Sequence, residues 1–338
     1  MLLIITIILF IAVGVLSIFL ARVQSIPLDK VEQKHIDGVY RVENVKPSFK
    51  ILFIQPLFIP IRPYLELNIN VLNSIQSYYD QHKDAHSGVD VHIQVRGFAR
   101  TDEYFNEYKN RYDELVSSCS GGFLTFGELV REKYNYGQSY QYVKGYNENR
   151  SGGYDLFVTN GCDLCFPEKC NPILYRSAIA FGASPNIGLL SMGMLTANVH
   201  LYHPDKFNLH KVDVIRGEIN HHFTVIYAES IHGGDIAGGL TMVRFEHAGE
   251  YVCSGVFSPD DGIIHRRIRR LGYQTAIAHD MHVVHEFGTT ASYGPFMAWK
   301  SRSLDWSHRN GETNIPESEL QPWAEESEII FEEWDSSI

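Results

Sequence analysis

From Lys50 onward the chain alternates between two hydrophobic periods, and that alternation restricts it to one class of architecture. Lys50 to Ile59 is almost continuously apolar, as a strand buried on both faces would be. Helical spacing follows from about Tyr64 to His82, Val89 to Val95 alternates as a second strand, and Asp102 to Ser117 is helical again. This β-α-β-α order predicts an α/β fold whose ligand lies at the carboxyl ends of parallel strands. With 338 residues, 44% of them hydrophobic and 12% aromatic, the chain can bury the core of one enzyme-sized domain. The net charge of -11, with no basic stripe beyond a single arginine-rich helix, argues against a nucleic-acid partner. No internal repeat interrupts the pattern.

The densest local signal lies further on. Asp260-Asp261 opens a stretch in which Ile263, Ile264, Ile268 and Leu271 recur at helical spacing while Arg266, Arg267, Arg269 and Arg270 take the other faces. Pro259 and the two carboxylates suit a helix N-terminus, and Gly272 suits its C-cap. Gln274 to Ile277 and Met281 to Val284 have strand character, which places His285 at a strand end near the start of that helix. Taken alone, these residues fit an N-capped surface helix and an ordinary histidine equally well.

The wider order of segments narrows the choice. Ile236 to Arg244 is a strand of small residues containing Gly238 and Gly239; a variable stretch to Val256 follows, then Phe257-Ser258-Pro259-Asp260-Asp261-Gly262, the arginine helix ending in Gly272-Tyr273, and His285. Upstream, Tyr154 to Asp163 has the form of a central strand ending in a polar motif. Together these segments resemble the inverting glycosyltransferases of family 2, clearly from about Tyr154 to His285 and more weakly from Lys50 to Asn149. The resemblance implies a GT-A fold, in which a Rossmann-like nucleotide-binding half and an acceptor half share a central mixed sheet. It also implies transfer of a sugar from a nucleotide-sugar donor to a glycan or glycoconjugate hydroxyl with inversion, assisted by Mn²⁺ or Mg²⁺.

Under that resemblance Asp261 is the expected catalytic base and Asp260 the second choice, because adjacent side chains on a helix diverge by about 100°. Asp163 and His285 are the expected metal ligands. Asn160, Asp163, Arg266 and Arg267 would bind the donor, and Gly238 and Gly239 would let the acceptor approach the backbone. The chain departs from the family where several acids are usual: Asn160-Gly161-Cys162-Asp163 keeps one carboxylate. A non-catalytic glycan-binding or assembly protein on the same fold is therefore the alternative. Arg96-Gly97 also stands where the family commonly has an aspartate for the base or ribose, and Tyr140 or Lys144 are further candidates for the nucleotide pocket.

Cys162, Cys165 and Cys170 have a spacing that suggests zinc, a redox pair or a structural disulfide, but no fourth zinc ligand follows nearby. His200, His203, His221, His222 and His232 show no metal-binding spacing and receive no role.

The ends of the chain read differently. Leu2 to Leu20 is apolar over about 19 residues, enough to cross a bilayer as a helix. The expectation is a transmembrane signal-anchor at 1–24, with a cleaved signal peptide as the rival reading, a stem at 25–49, a catalytic domain at 50–300 and an acidic tail at 301–338 that either covers the acceptor groove or, the favoured reading, is a solvated end. The basic residues after the span favour a cytosolic domain. The sequon Asn149-Arg150-Ser151 and the habit of anchored glycosyltransferases favour the Golgi or ER lumen, which is the orientation expected here.

Overall fold

The computed structural model describes residues 36–42, 48–86, 88–183, 186–194, 207–216, 223–230, 239–258, 260–286 and 293–338. Strand β2 (Phe49–Ile59) is followed by helix α1 (Arg62–His82), β3 (Val89–Ala99), α2 (Asp102–Ser118), β4 (Leu124–Phe126) and β5 (Val130–Glu132). Helix α3 (Gln138–Glu148) leads to β6 (Leu156–Thr159), β7 (Leu164–Cys165) and α4 (Ile173–Ala183). The second half contributes β8 (Ile187–Met194), β9 (Phe207–Arg216), β10 (Phe223–Ser230), β11 (Thr241–Arg244) and a 3-10 turn at Phe245–Glu250. It closes with α5 (Asp260–Arg270), β12 (Gln274–His285), α6 (Gly294–Asn310) and α7 (Glu317–Asp335), while β1 (Ile36–Val42) precedes β2.

The expected α/β architecture is present as one mixed sheet, ordered β1-β9-β10-β12-β8-β11-β6-β2-β3-β4, with β5 on β3 and β7 on β12. Strands β6, β2, β3 and β4 are parallel, and β2 pairs with β3 from Phe49↔Val89 to Ile59↔Ala99. Strand β11 runs antiparallel to both β6 and β8, and β8 is parallel to β12. Ile51 to Ile54 are fully buried, as a continuous apolar strand requires: Ile51 and Phe53 share one core with Leu65, Val71, Leu72 and Ile75 of α1, while Leu52 and Ile54 belong to a second. The two strand segments read between Gln274 and Val284 are a single strand, β12. Helix α5 stops before Gly272, whose φ of 86° permits the left-handed turn that a side chain would resist.

Three expectations about the ends of the chain are corrected. First, the segment read as stem is not featureless, because β1 pairs in parallel with β9. Second, the 300/301 boundary falls inside α6, where Trp299, Ser303 and Ser307 are all fully buried. The acidic region beyond it is helix α7, and its Leu320, Ala324, Ser327, Phe331 and Trp334 form a buried stripe at helical spacing. Third, the membrane-embedded, lumen-facing location is set aside: among the described residues no helix is long and apolar enough to cross a membrane. The Leu2–Leu20 run on which it rested lies outside the described residues. The sequon is also occupied structurally, since Asn149 Nδ2 donates to Gln94 Oε1 at 3.1 Å and to the Gly145 carbonyl at 2.8 Å.

Helix α7 also carries a titratable strain. Burial raises the Glu328 carboxyl from 4.5 to about 7, although Arg100 and Arg131 oppose the shift. The native chain therefore binds a proton that the unfolded chain has released between those values. Stability should be greatest below about pH 4.5 and decline as pH rises to about 7, by about 1–2 kcal/mol once solvent screening is allowed for. Urea midpoints at pH 5 and pH 8 check this, and Glu328→Gln should remove most of the slope.

Candidate active site

The parallel strands turn in opposite directions from the β2–β6 boundary, and that switch point is where an open α/β sheet leaves a crevice at its carboxyl edge. A cavity of about 380 Å³ lies there. Pro56, Leu57 and Phe58 from β2 and Thr159, Gly161, Cys162 and Asp163 from the end of β6 line it. From the other half it receives Gly239, Val256, Phe257, Ser258, Asp261 and His285. Helix α6 adds Phe296 and, one turn later, Lys300.

Helix α3 reaches this cleft by its N-terminus. Its cap, Gly137, has φ 83°, and a Cβ there would lie 1.9 Å from the Val256 carbonyl oxygen, so glycine is required for the close approach. Gln138, Gln141 and Tyr142 share one face of α3 at i, i+3 and i+4 and all line the cleft. Helix α5 starts beside it. Gln138 Nε2 donates to Asp260 Oδ2 at 3.4 Å, joining the two helix starts. Asp260 is buried, and burial raises its pKa against hydrogen bonds from Ser139 and Gln138. Asp261 is exposed and belongs to the cleft lining, so the two neighbouring carboxylates occupy different environments.

Asp163 and His285 meet although 122 residues of sequence separate the segments that carry them: Asp163 Oδ2 lies 3.1 Å from His285 Nε2. The hydrogen bond that His285 donates to Asp163 raises the His285 pKa, partly offset by burial. The same separation matches adjacent corners of a six-coordinate ion with bonds of about 2.1 Å, which lie about 3.0 Å apart. The pair therefore fits two corners of an Mn²⁺ or Mg²⁺ site. Among the described residues no group of three or more His, Cys, Asp or Glu side chains completes such a site, so other ligands would have to come from substrate oxygens or water. Cys162 is a poor ligand for a hard cation, and burial holds its thiol protonated.

Other candidates are placed elsewhere. Asn160 is 2% exposed, and its Nδ2 is used by Gln55 Oε1 at 2.8 Å and the Leu164 carbonyl at 3.1 Å, beneath the cleft and outside its lining. Arg266 Nε pairs with Glu312 at 3.3 Å and Arg267 Nε with Glu250 at 2.8 Å, and neither lines the cleft. Tyr140 and Lys144 are joined at 2.7 Å, Tyr140 donates to Glu317 at 2.8 Å, and they too lie outside the lining. Gly239 lines the cleft, while Gly238 lies outside the described residues. All five cysteines are free thiols, and Cys170 faces His82 at 3.7 Å.

The residue that sequence reading missed is Lys300. Among the described residues it is the lysine or arginine that lines the cleft, and it rests over the Phe257 ring at 4.8 Å. The missed aromatic wall is built by α7: Phe331 packs on Phe58 and Phe296 at 5.7 and 5.5 Å, and Trp334 on Tyr64 at 6.0 Å.

No protein-family model and no curated protein sequence matches the chain. Among solved structures, it is similar to the nucleoside-diphosphate-sugar pyrophosphorylase from Vibrio cholerae RC9 at 14% identity and TM-score 0.39, covering 73% of this chain and 99% of that one. A UDP-glucose pyrophosphorylase complexed with UDP-glucose gives 13% and 0.36, over 77% and 97% of the two chains. The inositol-1-phosphate CTP transferase from T. maritima gives 10% and 0.36, over 80% and 99%. Likeness at this level carries nothing about the reaction or substrate of the present chain.

Proposed function

We propose that the chain is a GT-A glycosyltransferase that moves a sugar, with inversion, from a nucleotide-sugar donor to a hydroxyl of a glycan or glycoconjugate. The observation that carries this reading is that Asp261, the Asp163–His285 pair and Lys300 line one cleft at the switch point of the sheet. An inverting transfer needs a base facing the acceptor and positive charge facing the leaving diphosphate. Asp261 takes the proton of the acceptor hydroxyl as its oxygen bonds to the anomeric carbon. The bond from that carbon to the diphosphate breaks, and its electron pair remains on the phosphate oxygen. Lys300 offsets the charge that develops there, and the surrounding aromatic side chains keep water from competing with the acceptor.

Asp163 and His285 would hold Mn²⁺ or Mg²⁺ together with diphosphate oxygens. A bound divalent ion supplies charge neutralisation of the leaving group. Titration calorimetry of UDP with and without Mn²⁺ tests the donor site. Lys300→Met should weaken UDP binding by about tenfold, the loss of one charge-assisted contact. Mn²⁺ and UDP should each tighten the other's binding by the same factor. Asp163→Ala should abolish that coupling, whereas Cys162→Ser should preserve it. Nucleotide affinity indifferent to Mn²⁺ in the wild type removes the metal from the reading, and absence of any nucleotide binding removes the donor site.

A further inference from the structure

Three carboxamides face the cleft from α3 and the turn before it: Asn135, Gln138 and Gln141. An amide can present either its oxygen or its nitrogen, but here each already meets a neighbour that settles which end remains. Arg96 Nε, which can only donate, gives its hydrogen to Gln141 Oε1 at 3.0 Å. Arg96 is 1% exposed and cannot turn away, because Glu148 binds both ends of its guanidinium at 2.6 and 3.2 Å and Glu132 holds it at 3.2 Å. Gln141 therefore offers its NH₂ to the cleft. The Gly137 N–H donates to Asn135 Oδ1 at 3.2 Å, so Asn135 likewise offers its NH₂. Gln138 is reversed: its Nε2 is directed to the Asp260 carboxylate, which leaves Oε1 as the acceptor.

From this array of two donors and one acceptor we infer that Asn135, Gln138 and Gln141 select a pyrimidine base on the nucleotide of the donor, an inference that rests on the donor-site reading above. Uracil and thymine present two carbonyl acceptors and one N–H donor along the pairing edge. Cytosine presents a carbonyl, a ring-nitrogen acceptor and an amino donor. Guanine offers one acceptor and two donors there, which leaves an NH₂ of the site facing another donor, and adenine offers a single acceptor beside its amino group. A donor buried against the wrong partner costs more than a missing contact, so the mismatch discriminates strongly. Phe58, half-exposed in the same cleft, supplies a ring for a base to stack on. A buried arginine thus turns a glutamine into a donor.

The test is calorimetry of the full chain with UDP, CDP, GDP and ADP in Mg²⁺ buffer. The tighter pyrimidine nucleotide should bind at least about tenfold better than either purine nucleotide. Gln141→Glu still accepts from Arg96 but has no hydrogen to give, and its added charge acts on all four nucleotides alike. The pyrimidine-to-purine ratio should therefore fall by about tenfold or more. Asn135→Asp, which still accepts from Gly137, should lower the same ratio and covers the case in which the first variant fails to fold. A purine preference in the wild type, or an unchanged ratio in both folded variants, overturns the inference while leaving the donor site standing. Failure of all four nucleotides to bind overturns the donor site itself.

Discussion

Replacing Asp261 with asparagine should lower turnover by about 10² to 10⁴ while leaving nucleotide affinity within a few-fold of wild type, because loss of a general base acts on the transition state. Asparagine keeps the shape of the side chain and is itself a favourable residue at a helix start, so α5 should remain folded. Steady-state kinetics with a nucleotide sugar, set beside the dissociation constant of the corresponding diphosphate, separates the two effects. Asp260→Asn is the informative companion. Asp260 is buried between the starts of α3 and α5, so its change should cost stability more than turnover. Near-normal turnover in Asp261→Asn with a large loss in Asp260→Asn would transfer the base to Asp260.

Phe331→Ala should destabilise the protein by about 3–5 kcal/mol, the range for removing a fully buried phenylalanine. Its ring stands behind Phe58 and Phe296 at 5.7 and 5.5 Å and lies 6.1 Å from Phe98. The cavity left by truncation therefore opens directly behind two cleft-lining rings, and nucleotide affinity should weaken with stability. Denaturant midpoints at constant slope measure the first effect and calorimetry the second. A loss below about 1 kcal/mol would mean that α7 is not integral to the core.

Much of the parallel half was legible because its signals are local. The apolar run at β2, the alternation of β3 and the spacing of α1 each lie within one window of sequence. The start and stop of α5 were legible for the same reason, with two aspartates at one end and Gly272 at the other. The site was read less completely, because charge pairing is long-range. Nothing near Arg266 or Arg267 announces Glu312 and Glu250 as partners, and four arginines on one helix look available to phosphate until those partners arrive. Lys300 carries no motif, and it reaches the cleft from α6, an element remote in sequence from the strand ends it joins there. The error at α7 had a remedy. Leu320, Ala324, Ser327, Phe331 and Trp334 are spaced four, three, four and three apart, a buried helical stripe that the surrounding glutamates disguised as a solvated tail.

The last helix has a consequence for how the molecule is made. Asp335, at the end of α7, is gripped by Arg100 and by Tyr104, partners 235 and 231 positions earlier. During synthesis β2 and β3 emerge first, and the α7 rings that pack behind their cleft follow long afterwards. The early half must wait with Phe58, Phe98 and Tyr64 uncovered, and closure depends on contacts of very long sequence separation, which form slowly. A chain truncated before α7 would therefore leave a sticky, half-walled crevice rather than a slightly shorter fold.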